Sequence, residues 1–335
     1  MGGTAMFFPS FATPLPSYLS LLNMIRQNSC QAWYLAARPK TLSGALVSVF
    51  CATALAFRHG SFSWRMAVLC ALFASLMQVA SNFINDLYDF LRGTDGEDRL
   101  GPERACAQGW ISPIAMRRGI LLVCIAALLT GIAIIVGFCH SDAYDVLARQ
   151  YGIGQVIVAF AAVIITVVGG AFFYTTYGSY HGLGDLLVYV FFGYVPTCGT
   201  YLVLTGRIDW EVLLLSTAVA LVVDTLLVVN NYRDRHTDRA AGKQTLIARF
   251  GSRFGEQFYF WQGFLAWVCA SLLGLHGHYL VSRLVVVYVL FHLTTWRELK
   301  RIHEGRSLNV ILGKTSRNML IFTLLLVLSL MFETL

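Results

Sequence analysis

Nine apolar runs, at residues 41–58, 66–85, 117–138, 153–175, 186–205, 211–231, 257–275, 281–296 and 318–334, alternate with polar segments. Most have the length of about 17 to 25 residues that a helix needs to cross a bilayer. The pattern predicts nine transmembrane helices and two long polar connections, 86–116 and 232–256. The eighth run is the weakest, because Arg283 interrupts its start.

Basic residues test that count, since membrane orientation follows the asymmetry of Lys and Arg between alternate loops. If the first span starts inside, 20 of the 25 basic residues fall in inside segments. Arg58, Arg65, Arg149, Arg207 and Arg283 are left outside. Removing the eighth span would move the cluster from Arg297 to Arg317 outside, so nine spans with a cytoplasmic N-terminus fit best. The expected location is the cytoplasmic membrane of the cell, crossed many times.

Composition agrees with an all-α polytopic membrane protein. Apolar residues make up 57% of the chain and charged ones 13%, with a mean hydropathy of +0.64. So little polar surface could not cover a soluble fold. The net charge of +7 is accounted for by the inside bias and by lipid headgroups, and gives no support to nucleic-acid binding. The cysteines show no Cys-x-x-Cys pair and read as small apolar packing residues. Residues 1–30, broken by Pro9, Pro14 and Pro16, are expected to form a flexible or interfacial leader to a transmembrane domain at 31–335.

Two acidic clusters close apolar runs, Asn82-Phe-Ile-Asn85-Asp86-Leu-Tyr-Asp89 and Asn230-Asn231-Tyr-Arg233-Asp234-Arg-His-Thr-Asp238. Carboxylates so near hydrocarbon are costly and mark a functional site. They end the second and sixth spans, which run the same way through the bilayer. This is the arrangement of a parallel internal repeat, with acidic motifs at 82–98 and 230–245 contributing to one cavity. Asn230, Asp234 and Asp238 follow at spacings of four and share a helix face. So do Asn82 with Asp86, and Asn85 with Asp89.

Crowded carboxylates repel unless cations neutralise them. Magnesium prefers oxygen ligands and commonly joins one or two carboxylates to substrate phosphates. With Arg233, Arg235, Arg239 and Lys243 close by, the pattern suggests a diphosphate held by Mg2+. Membrane-end capping is the plain alternative for either cluster alone.

Other polar spots leave their roles open. Tyr174 leads to Gly182-Leu-Gly184-Asp185, where Asp185 either rims the cavity or favours the N-terminus of the next helix. Asp224 lies about 15 Å deeper than Asp234, and either bonds a neighbouring helix or meets a polar part of a substrate. His276-Gly-His278 has the look of a metal pair, but it falls outside and has no third ligand in the sequence.

At the acidic clusters the chain resembles the UbiA superfamily of intramembrane prenyltransferases, and within it the 1,4-dihydroxy-2-naphthoate polyprenyltransferase group. The matching segments are Ala36-Ala-Arg38-Pro39-Lys40-Thr41, Asn85-Asp-Leu-Tyr-Asp89 with Asp95, and Asp98-Arg99-Leu-Gly101-Pro102. Further matches are Gly182-Leu-Gly184-Asp185, and Asn230 to Asp238 with Gly242-Lys243-x-Thr245. The first motif spaces its acids three apart where many members have four. Asp224 has no counterpart in the family pattern.

The resemblance implies a helical bundle with a central cavity, open sideways to lipid. It implies Mg2+ on Asp86, Asp89, Asp95, Asp234 and Asp238, with Asp86, Asp89, Asp234 and Asp238 serving catalysis. Arg99, Arg104, Arg233 and Lys243 would assist with the diphosphate, and Lys40, Asn82, Asn85, Tyr174, Asp185 and Asn231 would contact substrate. The partners would be a polyprenyl diphosphate, an aromatic acid acceptor and membrane lipid, and the product demethylmenaquinol. Rival readings are the same chemistry on 4-hydroxybenzoate or homogentisate, or an ion-coupled transporter. A transporter would usually place its acids at the midplane, and here only Asp224 is deep.

Overall fold

Helix starts in this chain are written in short polar residues, and the computed structural model, which describes residues 25–93 and 100–333, shows them at work. Ser63 accepts from the Met66 N–H at 3.5 Å, Ser112 from Ala115 at 3.2 Å and Asp209 from Val212 at 3.0 Å. Each satisfies a backbone donor that would otherwise meet the membrane boundary unpaired. Among the described residues nine helices are long and apolar enough to cross a membrane. They are Pro39–Arg58, Trp64–Leu91, Pro113–Cys139, Ile153–Tyr174, Gly184–Thr205, Trp210–Ala240, Ser252–His276, Tyr279–Ile302 and Leu308–Phe332, called here the first to ninth spans. The fold is all-α, as expected, and the weak eighth run does form a span.

Two boundaries differ from the sequence reading. The second and sixth helices do not stop where the apolar runs stop, but continue to Leu91 and Ala240. Asp86, Asp89, Asp234 and Asp238 are therefore helical residues, and the polar connections are shorter than 86–116 and 232–256. Each added residue completes one more backbone hydrogen bond, so the helices carry on into the interface. Two short helices, Cys30–Ala37 and Asp142–Tyr151, were not predicted.

The sixth span is the centre of the bundle. Its most apolar window is 72% buried, against 11% for the fourth span, and it packs on the first, fifth, seventh and ninth. The outer spans point large apolar side chains away from the protein, among them Leu122, Leu129, Val158 and Ile165. In water such faces would aggregate; in a bilayer they meet lipid. Inside, neighbouring spans are joined by polar contacts. Asn318 donates to Thr295 at 2.8 Å and Tyr259 meets Thr315 at 3.0 Å.

The fifth span widens into a π-helical turn at Tyr189–Tyr194. There Gly193 lets the helix come against the sixth span. A Cβ at this position would lie 2.3 Å from the Ala220 Cβ and 2.8 Å from its Cα. Ser48 of the first span donates to the Phe192 carbonyl in the same turn. Gly193→Val is expected to destabilise the protein by about 1–3 kcal/mol through overpacking. A thermal-unfolding midpoint in detergent equal to wild type would show that the two spans can separate without cost.

Candidate active site

The first wall of the site is the end of the second span. Asn82 is buried and donates to the Ala37 carbonyl at 2.8 Å and to Thr41 at 3.0 Å, while Gln78 donates to its Oδ1 at 3.2 Å. This ties the span to the junction between the helix Cys30–Ala37 and the first span. At that junction Arg38 holds a left-handed φ of 52°, a conformation that non-glycine residues seldom adopt. Held there, Arg38 brings its guanidinium 3.9 Å from Asp86.

Asp86 is 1% exposed, and both of its oxygens accept backbone N–H groups, Oδ2 from Ala105 at 2.9 Å and Oδ1 from Cys106 at 2.8 Å. An apolar bed of Ile84, Leu87, Ile111 and Met116 surrounds this turn. The turn begins at Arg104, whose Nη2 donates to Asp89 Oδ2 at 3.0 Å. Asp86 thus shapes a loop, and the loop delivers a cation to Asp89. Asn85 is half-buried on the same helix end.

The second wall is the end of the sixth span. Arg233 is 4% exposed and grips Asp234 with two bonds, Nε to Oδ1 at 2.7 Å and Nη2 to Oδ2 at 2.6 Å. Its remaining arm donates to Asn309 of the ninth span at 2.8 Å, and Asn309 donates to the Leu100 carbonyl at 2.9 Å. A planar fork fixed on three sides is a rigid anchor for an anion site. One turn on, Asp238 lies 3.7 Å from Lys243, and its other oxygen, Oδ2, is buried without a hydrogen-bond partner. Through Asn309 and the Leu100 carbonyl, this wall is tied to the segment that carries Arg104 to Asp89 on the first.

A third side comes from the connection before the fifth span. Gly182 has φ +77°, and a Cβ there would meet the Gln244 carbonyl at 2.7 Å; the Gln244 N–H in turn donates to the Tyr180 carbonyl at 2.9 Å. Only a residue without a side chain lets the two loops close in this way. The result is a small cavity lined by Tyr174, Gly182, Gly184, Asp185, Leu227, Asn231, Lys243 and Thr245. Asp185 is 5% exposed, with Oδ1 unpartnered. Asp185 lines this cavity and also stands in the first turn of the helix Gly184–Val188, so both of its sequence readings are met at once.

Tyr174 also lines a second, apolar cavity of about 140 Å3 between the first five spans. Phe73, Met77, Ile134, Phe160, Phe191 and Phe192 form much of its wall. A polar, charged chamber thus opens beside a hydrocarbon-lined one, with Tyr174 at the boundary.

Both acidic walls lie within residues 45–310, and a family model described as the UbiA prenyltransferase family matches those residues. The chain belongs to the UbiA prenyltransferase family. It is 38% identical over 229 residues to the 1,4-dihydroxy-2-naphthoate octaprenyltransferase of Haemophilus influenzae, covering 68% of this chain and 71% of the relative. It is 32% identical over 299 residues to the enzyme of the same name from Escherichia coli, covering 89% and 94%. A solved UbiA homolog from Archaeoglobus fulgidus, bound to GPP and Mg2+, superposes with a TM-score of 0.63 over 90% of this chain and 99% of that one. At 14% identity this last likeness shows the shared fold.

Not every expected site residue of this family member joins the chamber. Lys40 is exposed, and Arg38, two residues earlier, is the cation that approaches Asp86. Asp95, Asp98 and Arg99 lie outside the described residues. Asp224 is buried and accepts from Gln262 of the seventh span at 2.6 Å; bonding to a neighbouring helix is what the structure shows. Sequence reasoning quoted Arg38 only within a matching segment, without a role, and passed over Asn309 and Gln262. The left-handed turn at Arg38 has no sequence signal, and the other two act across the bundle from far along the chain.

Proposed function

We propose that the protein transfers a polyprenyl group from its diphosphate to 1,4-dihydroxy-2-naphthoate, releasing pyrophosphate and carbon dioxide and giving demethylmenaquinol for menaquinone synthesis. The observation that carries the reaction type is the meeting of two acidic walls, each with its own arginine, beside an apolar chamber. Support for the acceptor comes from four naphthoate relatives, each above 30% identity over most of its length. The Lys and Arg asymmetry supports a cytoplasmic active site in a multi-pass protein of the bacterial inner membrane.

The residues fit Mg2+. The donors are hard carboxylate oxygens, and a buried Asp238 Oδ2 without a partner is an acceptor in want of a cation. Among the described residues no three acids on this face bring ligand atoms within 4.8 Å of one another, which suits an ion completed by substrate phosphate rather than a protein cage. Asp89, Asp234 and Asp238 would hold it. When bound, it neutralises charge that develops on the departing diphosphate.

The chain's own groups do the rest. Arg233, locked by Asp234 and Asn309, presents fixed positive charge to the diphosphate, and Lys243 and Arg104 add to it. Charge that is already oriented costs no reorganisation as the allylic C–O bond breaks and its electron pair leaves with the diphosphate. The apolar cavity holds the isoprenoid and keeps water from the allylic cation. Tyr174, between the chambers, and Asp185, in the polar one, would orient the acceptor, whose ring carbon forms the new bond.

The test supplies purified protein with a polyprenyl diphosphate and each candidate acid, and measures pyrophosphate and carbon dioxide. Equal release of both with the naphthoate is expected. Release of pyrophosphate alone, with 4-hydroxybenzoate as the only accepted acid, would replace the acceptor while keeping the reaction type.

A further inference from the structure

On the face opposite the acidic walls, three side chains from remote parts of the sequence converge. His59 caps the end of the first span, Glu211 sits in the first turn of the sixth, and His278 lies just before Tyr279 of the eighth. The Nε2 atoms of both histidines lie 2.9 Å from one oxygen, Oε2 of Glu211. All three atoms fall within 4.8 Å of one another. The His278 side chain is 4% exposed, while those of His59 and Glu211 are 15% and 21% exposed, so the cluster is sheltered yet reachable from water. His276, the other half of the sequence pair, is exposed and takes no part.

The hydrogen bonds behind His59 determine what its Nε2 offers. Tyr201 donates its only proton to Asp209 Oδ2 at 2.5 Å, and its oxygen lies 2.5 Å from His59 Nδ1. That oxygen can therefore only accept, so Nδ1 carries the hydrogen. In the neutral imidazole the Nε2 lone pair then points at a carboxylate oxygen 2.9 Å away. Two lone pairs at that distance repel unless a cation lies between them. His278 Nε2 faces the same Glu211 oxygen at 2.9 Å, where either its own proton or a shared metal ion fills the gap, and its Nδ1 is buried without a partner.

A carboxylate, a phenol and an imidazole in series form the kind of outer shell that orients a histidine ligand. Two imidazole nitrogens and one carboxylate oxygen are a donor set that zinc takes, with water in the fourth position. Tetrahedral ligands at about 2.0–2.1 Å from zinc stand about 3.3 Å apart, so each histidine need retreat from Glu211 by only a few tenths of an ångström. We propose that His59, Glu211 and His278 form a zinc site that clamps the first and sixth spans to the connection between the seventh and eighth. The site is separate from the diphosphate chamber and does not depend on the acceptor.

The test is a Co2+ titration of tag-free protein in detergent, with excess Mg2+ present to occupy the acidic walls. The expected result is one ion per chain with the intense visible bands of tetrahedral cobalt, displaced by Zn2+, and a Zn2+-dependent rise in the unfolding midpoint. Both signals should vanish in His278→Gln and Glu211→Gln. Tyr201→Phe, which breaks the outer shell, should weaken binding about 10- to 100-fold. His59→Cys guards against variants that fail to fold, because it keeps a ligand and should add a thiolate-to-cobalt charge-transfer band. Only weak octahedral absorption, or equal cobalt affinity in His278→Gln, would overturn the proposal and leave a proton-bridged histidine–glutamate cluster.

Discussion

Asp238→Asn is expected to lower prenyl transfer about 100- to 1000-fold, the usual cost of removing one fixed electrostatic contact to a transition state, while leaving the fold intact. The wild-type carboxylate has little structural work. Its one ion pair among the described residues, to Lys243, is 3.7 Å long and the lysine is 27% exposed, so the loss should stay under about 1 kcal/mol. Its second oxygen has no hydrogen-bond partner among the described residues. Asparagine keeps the shape and removes the charge. The checking measurement is kcat/KM across a Mg2+ titration beside the unfolding midpoint. Wild-type turnover would remove Asp238 from the diphosphate grip, and a large fall in the midpoint would mean that the carboxylate serves the fold.

The opposite pattern is expected at Asp86. Its oxygens accept two buried backbone N–H groups, and hydrogen bonds to a charged group contribute about 1.5–3 kcal/mol each. Asp86→Ala should therefore destabilise the protein by about 3 kcal/mol or more, and should also reduce activity by releasing the turn that carries Arg104 to Asp89. Asp86→Asn should be nearly as harmful, since its amide NH2 would face one of the two N–H groups. Added Mg2+ should restore neither variant. If Asp86→Asn keeps the wild-type midpoint and loses only activity that Mg2+ recovers, Asp86 is a metal ligand after all.

These two acids show where sequence legibility ends. The span count, their order and the pairing of Asp-rich helix ends could be read directly, because a bilayer sets helix length and loop charge sets orientation. Asp86 and Asp238 nonetheless look equivalent as letters. What separates them is the arrival of Ala105 and Cys106 at Asp86, a contact made by a loop with no motif of its own. The helices also run beyond their apolar segments, since nothing in hydropathy marks where the last backbone hydrogen bond is made. His278 was dismissed for want of a third ligand. His59 and Glu211, far away in the chain, supply partners that only the packing of three spans can bring together.

The π-helical turn of the fifth span bears on how the protein is assembled. Pro196, four residues after Phe192, has no N–H to offer that residue's carbonyl; an unpaired carbonyl would cost several kcal/mol in hydrocarbon, and here it accepts from Ser48 of the first span. The hydroxyl is thus synthesised well ahead of the carbonyl it satisfies. An early helix waits in the membrane as a docking post for a late one, and the irregular fifth span becomes a stable guest in the lipid only once it has found that post.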